Sequence, residues 1–142
     1  MKNFIVILVL GASLLVAGCR GKKEEKLIGE WKQIPFVDPT TVSYFNYWTF
    51  YPGDALVIKK DYIEGGTPSD STQYTYDLDG SKLRIFGDWG YAPAAGDPRG
   101  EYWIDQLNDD YLKMTKRKHP ADTAEWGGSE AGAFLRIELV RQ

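Results

Sequence analysis

From Leu27 onward, apolar and polar residues alternate with a period of two rather than 3.6, the mark of strands that bury one face and wet the other. Eight stretches carry the pattern: LIGEWKQI (27–34), YFNYWTFY (44–51), ALVIKKD (55–61), STQYTYDL (71–78), KLRIFG (82–87), EYWIDQL (101–107), YLKMTKR (111–117) and AFLRIELV (133–140). The connections between them alternate as well. Pro52-Gly53-Asp54, Asp79-Gly80-Ser81 and Asn108-Asp109-Asp110 are tight-turn chemistry, whereas 35–43, 62–70, 88–100 and 118–132 are long. Successive connections of a meander lie at opposite ends of the sheet, so the tight turns gather at one end and the long loops at the other. Closure removes both edge strands, and the pattern therefore predicts an all-β, eight-stranded antiparallel up-and-down barrel. A two-sheet sandwich is the alternative. At most one short helix is expected, in HPADTAEWGG (119–128), where Pro120 suits a first helical position and Gly127 a stop.

Parity assigns Trp31, Trp48, Phe50, Leu56, Ile58, Tyr74, Tyr76, Leu83, Ile85, Tyr102, Ile104, Leu112, Met114, Leu135 and Ile137 to the interior. A barrel of eight strands has a lumen that side chains just fill, or that holds one small ligand. The inward tyrosines bear on that choice, because a buried hydroxyl without a partner costs about 1–3 kcal/mol. Tyr74, Tyr76 and Tyr102 thus predict either a polar pocket or hydroxyls reaching the mouth. The rings would otherwise fill the lumen. Phe45, Tyr47 and Tyr51 fall on the outward face of their strand, which predicts cover by another segment, with 119–128 the expected cover, or a contact surface for a partner.

The residues before Leu27 belong to no strand. A basic start at Lys2, an apolar run from Phe4 to Val16 and small residues up to Cys19 read as a secretory signal, too short to span a membrane. Val16-Ala17-Gly18-Cys19 resembles the lipobox of bacterial lipoproteins, which implies cleavage before Cys19 and a diacylglycerol on its sulfur. The expected organisation is a signal at 1–18, a lipidated Cys19 with a charged tether at 19–26, and a barrel domain at 27–142. Cys19 is the single cysteine, which excludes disulfides within the chain. Arg20 in place of Asp implies the outer membrane under the sorting rule for such lipoproteins. Lys22-Lys23-Glu24-Glu25 resembles a surface-export cluster and equally suits a plain charged tether. Loss of residues 1–18 removes Lys2 and moves the net charge from -3 to -4, so no basic face is left for a nucleic-acid partner.

Gly29-Glu30-Trp31 resembles the Gly-x-Trp motif that opens lipocalins and the wider calycin superfamily. Leu27-x-Gly29-x-Trp31, Trp48-x-Phe50 before a tight turn, Leu83-x-Ile85 and Ile104-x-x-Leu107-x-x-x-x-Leu112 resemble small bacterial lipocalin-like domains along nearly the whole chain after Cys19. The resemblance implies a basic residue of the last strand lying across Trp31, and parity favours Arg141 over Arg136 for it. The lipocalin helix outside the barrel is much longer than anything 119–128 offers, a departure from the family pattern.

Little in the chain supports catalysis. The one histidine, His119, sits in a long loop with no cysteine nucleophile available. Asp77-x-Asp79-Gly80 opens like a calcium loop but lacks the later ligands, and a hairpin turn explains it. No phosphate loop or Cys/His metal cluster appears, so neither metal nor cofactor is expected. The leading expectation is a lipid-anchored binding protein, not an enzyme, for a small apolar or amphipathic ligand. Mouth residues Phe36, Trp89, Tyr91 and Trp126 and lumen residues Trp48, Tyr74, Tyr76 and Tyr102 would contact that ligand. The alternatives are a filled barrel that docks onto another envelope protein, and a surface lipoprotein that stacks sugars on Trp and Tyr.

Overall fold

The computed structural model describes residues 21–35, 38–63, 69–87, 97–118 and 136–142. Eight strands run through them: β1 (Gly29–Gln33), β2 (Tyr44–Tyr51), β3 (Ala55–Tyr62), β4 (Asp70–Asp79), β5 (Lys82–Phe86), β6 (Gly100–Leu107), β7 (Tyr111–Lys118) and β8 (Arg136–Arg141). Each pairs antiparallel with its neighbour in sequence, and β8 returns to pair with β1 through Trp31↔Arg141 and Gln33↔Leu139. The sheet is a closed barrel. A sandwich would leave the first and last strands on separate edges, and their pairing excludes it.

The three tight turns lie at one end, here the floor, and the long connections leave from the other, the mouth. The floor turns are held by short polar side chains, as at Asn108, whose Oδ1 accepts the backbone N–H groups of Asp110 and Tyr111 at 3.0 and 2.8 Å. Strict alternation fails once, in β6, where register shifts between Glu101 and Tyr102 and between Ile104 and Gln106 mark bulges. A bulge adds a residue to one strand and re-aims those after it. Ile104 and Leu107, three apart, consequently both pack against the core.

That core fills the floor half of the barrel. Trp31, Phe50, Leu56, Tyr76, Leu78, Leu83, Leu112, Met114 and Leu139 are all buried. Phe50 meets Tyr76 edge-on at 5.3 Å and tilts against Trp48 at 6.4 Å, arrangements that aromatic quadrupoles favour. Tyr76 resolves its hydroxyl locally: it donates to the Tyr51 carbonyl at 3.0 Å, toward the floor and not the mouth. Burial, then the nearby charges of Glu24 and Asp54, push its pKa up to about 12. Tyr76 is thus a core residue, and of the alternatives open for it the ring fills the lumen while its hydroxyl is satisfied in the wall.

Residues 21–27, most of the charged stretch ahead of β1, are helical. Leu27 is fully buried in the core, and its carbonyl accepts the Trp31 indole N–H at 2.8 Å. Arg141 lies 4.3 Å over the Trp31 ring and donates from Nη1 to the Ile28 carbonyl at 3.0 Å and from Nη2 to that of Lys26. Gly29 is required beneath it. Its φ is +133°, and a Cβ there would stand 2.5 Å from the Arg141 guanidinium. The Gly-x-Trp sequence and the distant Arg141 are one packing unit.

Candidate functional site

The inward face continues past the core toward the mouth, and there its chemistry changes. On β1, residues 29, 31 and 33 share a face, so Gln33 stands above Trp31. On β2, Asn46 and Tyr44 stand above Trp48, and on β3 Lys60 and Tyr62 stand above Ile58. The register pairs Trp48 with Ile58, Asn46 with Lys60 and Tyr44 with Tyr62, three successive rungs from apolar to polar to aromatic. Gln33 Oε1 accepts from Asn46 Nδ2 at 3.1 Å and from Trp48 Nε1 at 3.2 Å. Asn46 Oδ1 is then, among the described residues, the buried side-chain oxygen without a hydrogen-bond partner. Tyr44 and Tyr62 pack at 5.6 Å between centroids, and the Lys60 ammonium lies 5.3 Å over the Tyr44 ring.

The opposite wall carries buried charge. Lys116 continues the inward face of Leu112 and Met114, opposes Tyr102 across the β6–β7 ladder and is 1% exposed. Its ammonium lies 5.4 Å over the Tyr102 ring and donates to the Asp97 carbonyl at 2.6 Å. Arg99 is 4% exposed and holds the Asp97 carboxylate through Nε at 3.0 and 2.9 Å and through Nη2. Such fork geometry suits a planar guanidinium. The Tyr102 hydroxyl donates to the Pro98 carbonyl at 2.6 Å. The end of the long β5–β6 connection is therefore staked inside the barrel by two strands.

Tyr74 and the Arg99 stem close over Gly87, where a Cβ would meet Tyr74 Cδ1 at 2.8 Å and Arg99 Cδ at 3.2 Å. Burial alone would raise the pKa of Asp97. Hydrogen bonds from Arg99 and the charges of Arg99 and Lys116 outweigh it and hold the carboxyl below its ordinary value. Burial, then the charge of Asp97, raises the Tyr74 and Tyr102 phenols, Tyr102 far above the usual range.

Of the residues singled out in the sequence, Trp48 and Tyr102 are buried in the core beneath this polar region with Tyr74 packed against them, and Gly29, Trp31, Tyr76 and Arg141 belong to the floor. Phe36, Trp89, Tyr91, Trp126, Cys19, Leu135, His119 and the 119–128 segment lie outside the described residues. Gln33, Asn46, Lys60, Arg99 and Lys116 are additions. Parity alone reaches Gln33, Asn46, Lys60 and Lys116, but polar side chains there read as solvent-facing. On the outward stripe the Lys32 ammonium lies 3.8 Å over Phe45 and 5.8 Å over Tyr47, so a lysine stem and head cover part of what the sequence leaves bare.

Two amides, phenols, buried cations and one carboxylate above an apolar floor can hold a polar group by directed hydrogen bonds while apolar surface rests on rings beneath. Among the described residues no cluster of His, Cys, Asp and Glu is arranged to hold a metal ion. No protein-family model matches the chain, and no curated protein is significantly similar to it.

Proposed function

We propose that the chain is a lipid-anchored, lipocalin-like binding protein of the cell envelope that takes a small amphipathic ligand in the upper half of its barrel. The observation that carries this reading is the change of character along the inward face: rings and aliphatics below Trp48, and Gln33, Asn46, Lys60, Tyr74, Arg99 and Lys116 above it. Some of these groups also hold the fold, as Lys116 and Arg99 do at Asp97, but the Asn46 amide oxygen is buried there without a partner. Burying an ion pair is costly, and an apolar replacement of similar volume is often neutral or stabilising. Pockets that bind small molecules combine apolar walls with a few placed polar groups, as here. The packed floor argues for a shallow site and against a purely apolar ligand running the length of the lumen. The lipobox-like Val16-Ala17-Gly18-Cys19 and Arg20 support an outer-membrane anchor.

Trp48, bonded to Gln33, is one of five tryptophans and serves as the reporter once its signal is isolated as the part of the fluorescence change that Trp48→Phe removes. Its fluorescence is followed while a long-chain lysophospholipid, the matching fatty acid and the matching alkane are titrated below their aggregation thresholds. Saturable changes with the two amphiphiles and none with the alkane are expected. A response to the alkane alone, or to none of the three, contradicts the reading.

A second reading rests on a different observation. Trp103 is 43% exposed on the outer wall, between Lys82 at 5.8 Å and Arg117 at 6.0 Å. Exposed Trp flanked by cations is common hot-spot material at protein interfaces. A Trp103→Ala variant that keeps amphiphile binding but loses crosslinks to envelope proteins would support this role.

A further inference from the structure

The helix at 21–27 decides how an anchored barrel stands. Lys23 Nζ donates to the Gly80 carbonyl at 3.1 Å and to Ser81 Oγ at 3.0 Å, in the β4–β5 turn. Lys26 Nζ pairs with Asp109 of the β6–β7 turn at 3.3 Å. Leu27 is fully buried, and Arg141 holds the Lys26 and Ile28 carbonyls. These ties reach two floor turns and the last strand. The helix lies along the underside of the barrel, anchored by buried Leu27 and tied at Lys23 and Lys26.

Cys19 precedes the first described helical residue by two positions, and two residues of chain span at most about 7 Å. A free tether over 19–26 would reach more than three times as far and permit any orientation. The mouth is at the other end. An eight-residue strand such as β3, at about 3.3 Å per residue and tilted by roughly 35–45°, sets it about 20 Å above the floor. We propose that a lipid on Cys19 seats the barrel floor-down on the bilayer, so that the closed end faces lipid and the mouth faces away from it. The ligand or partner then meets the upper lumen from the aqueous side and is not drawn directly from the membrane that carries the anchor. This rests on the reading of Cys19 as lipidated.

Two preparations keep the geometry and that reading apart. In one, the full chain is processed in a Gram-negative host, the mass of its Cys19-bearing peptide is measured, and the purified protein is reconstituted in phosphatidylethanolamine–phosphatidylglycerol vesicles. In the other, residues 19–142 are coupled through the Cys19 thiol to a maleimide phospholipid in phosphatidylethanolamine–phosphatidylglycerol vesicles. Both carry a clicked fluorophore on p-azidophenylalanine at Asp110, on the floor, or at Ile63, near the mouth, and the vesicles contain nitroxide-headgroup lipid. The expected result is a diacylglycerol mass on the native peptide and quenching several-fold stronger at 110 than at 63 in both preparations. Lys23→Ala, which removes two ties and leaves Leu27 in place, should narrow the ratio. A native peptide without lipid overturns the Cys19 reading. Equal quenching at the two positions, or stronger quenching at 63, in the coupled protein overturns the floor-down geometry.

Discussion

The two halves of the barrel lumen are built from the same strands and the same inward parity, yet they do opposite things with them. Below Trp48 the inward positions are Trp31, Phe50, Leu56, Tyr76, Leu78 and Leu83, and even the Tyr76 hydroxyl is satisfied within the wall. Above it the same parity delivers Gln33, Asn46, Lys60 and Lys116, and the β5–β6 connection adds Asp97 and Arg99. One half is a core. The other is polar, with charges and amides bonded to one another and to the end of the β5–β6 connection, at the desolvation cost that burying such groups carries. Alternation therefore fixes which side chains point inward, and residue chemistry fixes what the inside is for.

The largest effects should come from the floor. Trp31→Ala removes the ring that Arg141 covers and Leu27 caps, and should cost about 3–5 kcal/mol, enough to threaten the fold. Urea denaturation measures it. Gly29→Ala should act on the same unit, through the strained φ and the guanidinium in its way. Equal tolerance of truncation at both ends of the lumen would erase the contrast.

Next in size is the buried pair at the mouth. Asp97→Ala leaves the buried Arg99 without its carboxylate partner, while the Asp97 carbonyl still accepts from Lys116, and should cost about 3 kcal/mol. The double replacement Asp97→Leu with Arg99→Met should recover most of that loss while still abolishing amphiphile binding. This separates the energy of breaking the pair from any need to have it. Gly87→Ala should cost about 1–3 kcal/mol, because Tyr74 and Arg99 must give way to the new methyl.

The pH dependence has an acid limb set in the upper half and an alkaline limb to which both halves contribute. A carboxyl held below its unfolded value stabilises the fold above that value, near pH ~4, and the contribution is lost as pH falls through the lower folded pKa. Asp97 places an acid-side loss in the upper half, which Asp97→Asn should flatten. Phenols raised in the folded state behave oppositely. Their contribution is complete below pH ~10 and is lost as pH rises toward the folded value. For Tyr76 that window closes at about 12, and Tyr76→Phe should remove its share of the alkaline limb, leaving that of Tyr74 and Tyr102, at a cost of about 1 kcal/mol for the lost hydrogen bond.

Much of the fold was legible in the chain because strand period and turn chemistry are local. All eight strands and the alternation of short and long connections followed from parity and spacing, whereas a basic residue over Trp31 was implied by the lipocalin resemblance and parity only favoured Arg141 over Arg136. The helix at 21–27 did not. Its seven residues are mostly charged, and a helix that short is marginal in water without partners. Lys23, Lys26 and Leu27 find theirs on turns that are distant in sequence. The polar upper lumen was hidden for a related reason. Lys116 sits in the inward register, but a lysine in an alternating strand is ordinarily read as wet, and only its rung with Tyr102 and the Asp97 carbonyl shows otherwise. Asp97 and Arg99 lie in a Pro/Gly loop where periodicity says nothing.

The smallest expected change in stability makes the most direct test. The double variant Asn46→Leu/Lys60→Met removes an unpartnered buried oxygen and an inward cation from the upper lumen without touching a floor residue. Its unfolding free energy should stay within about 1 kcal/mol of the parent, while the Trp48-reported affinity for the lysophospholipid falls at least tenfold. Unchanged affinity, or a loss of several kcal/mol of stability in step with affinity, would contradict the division of the lumen into a packed floor and a binding mouth.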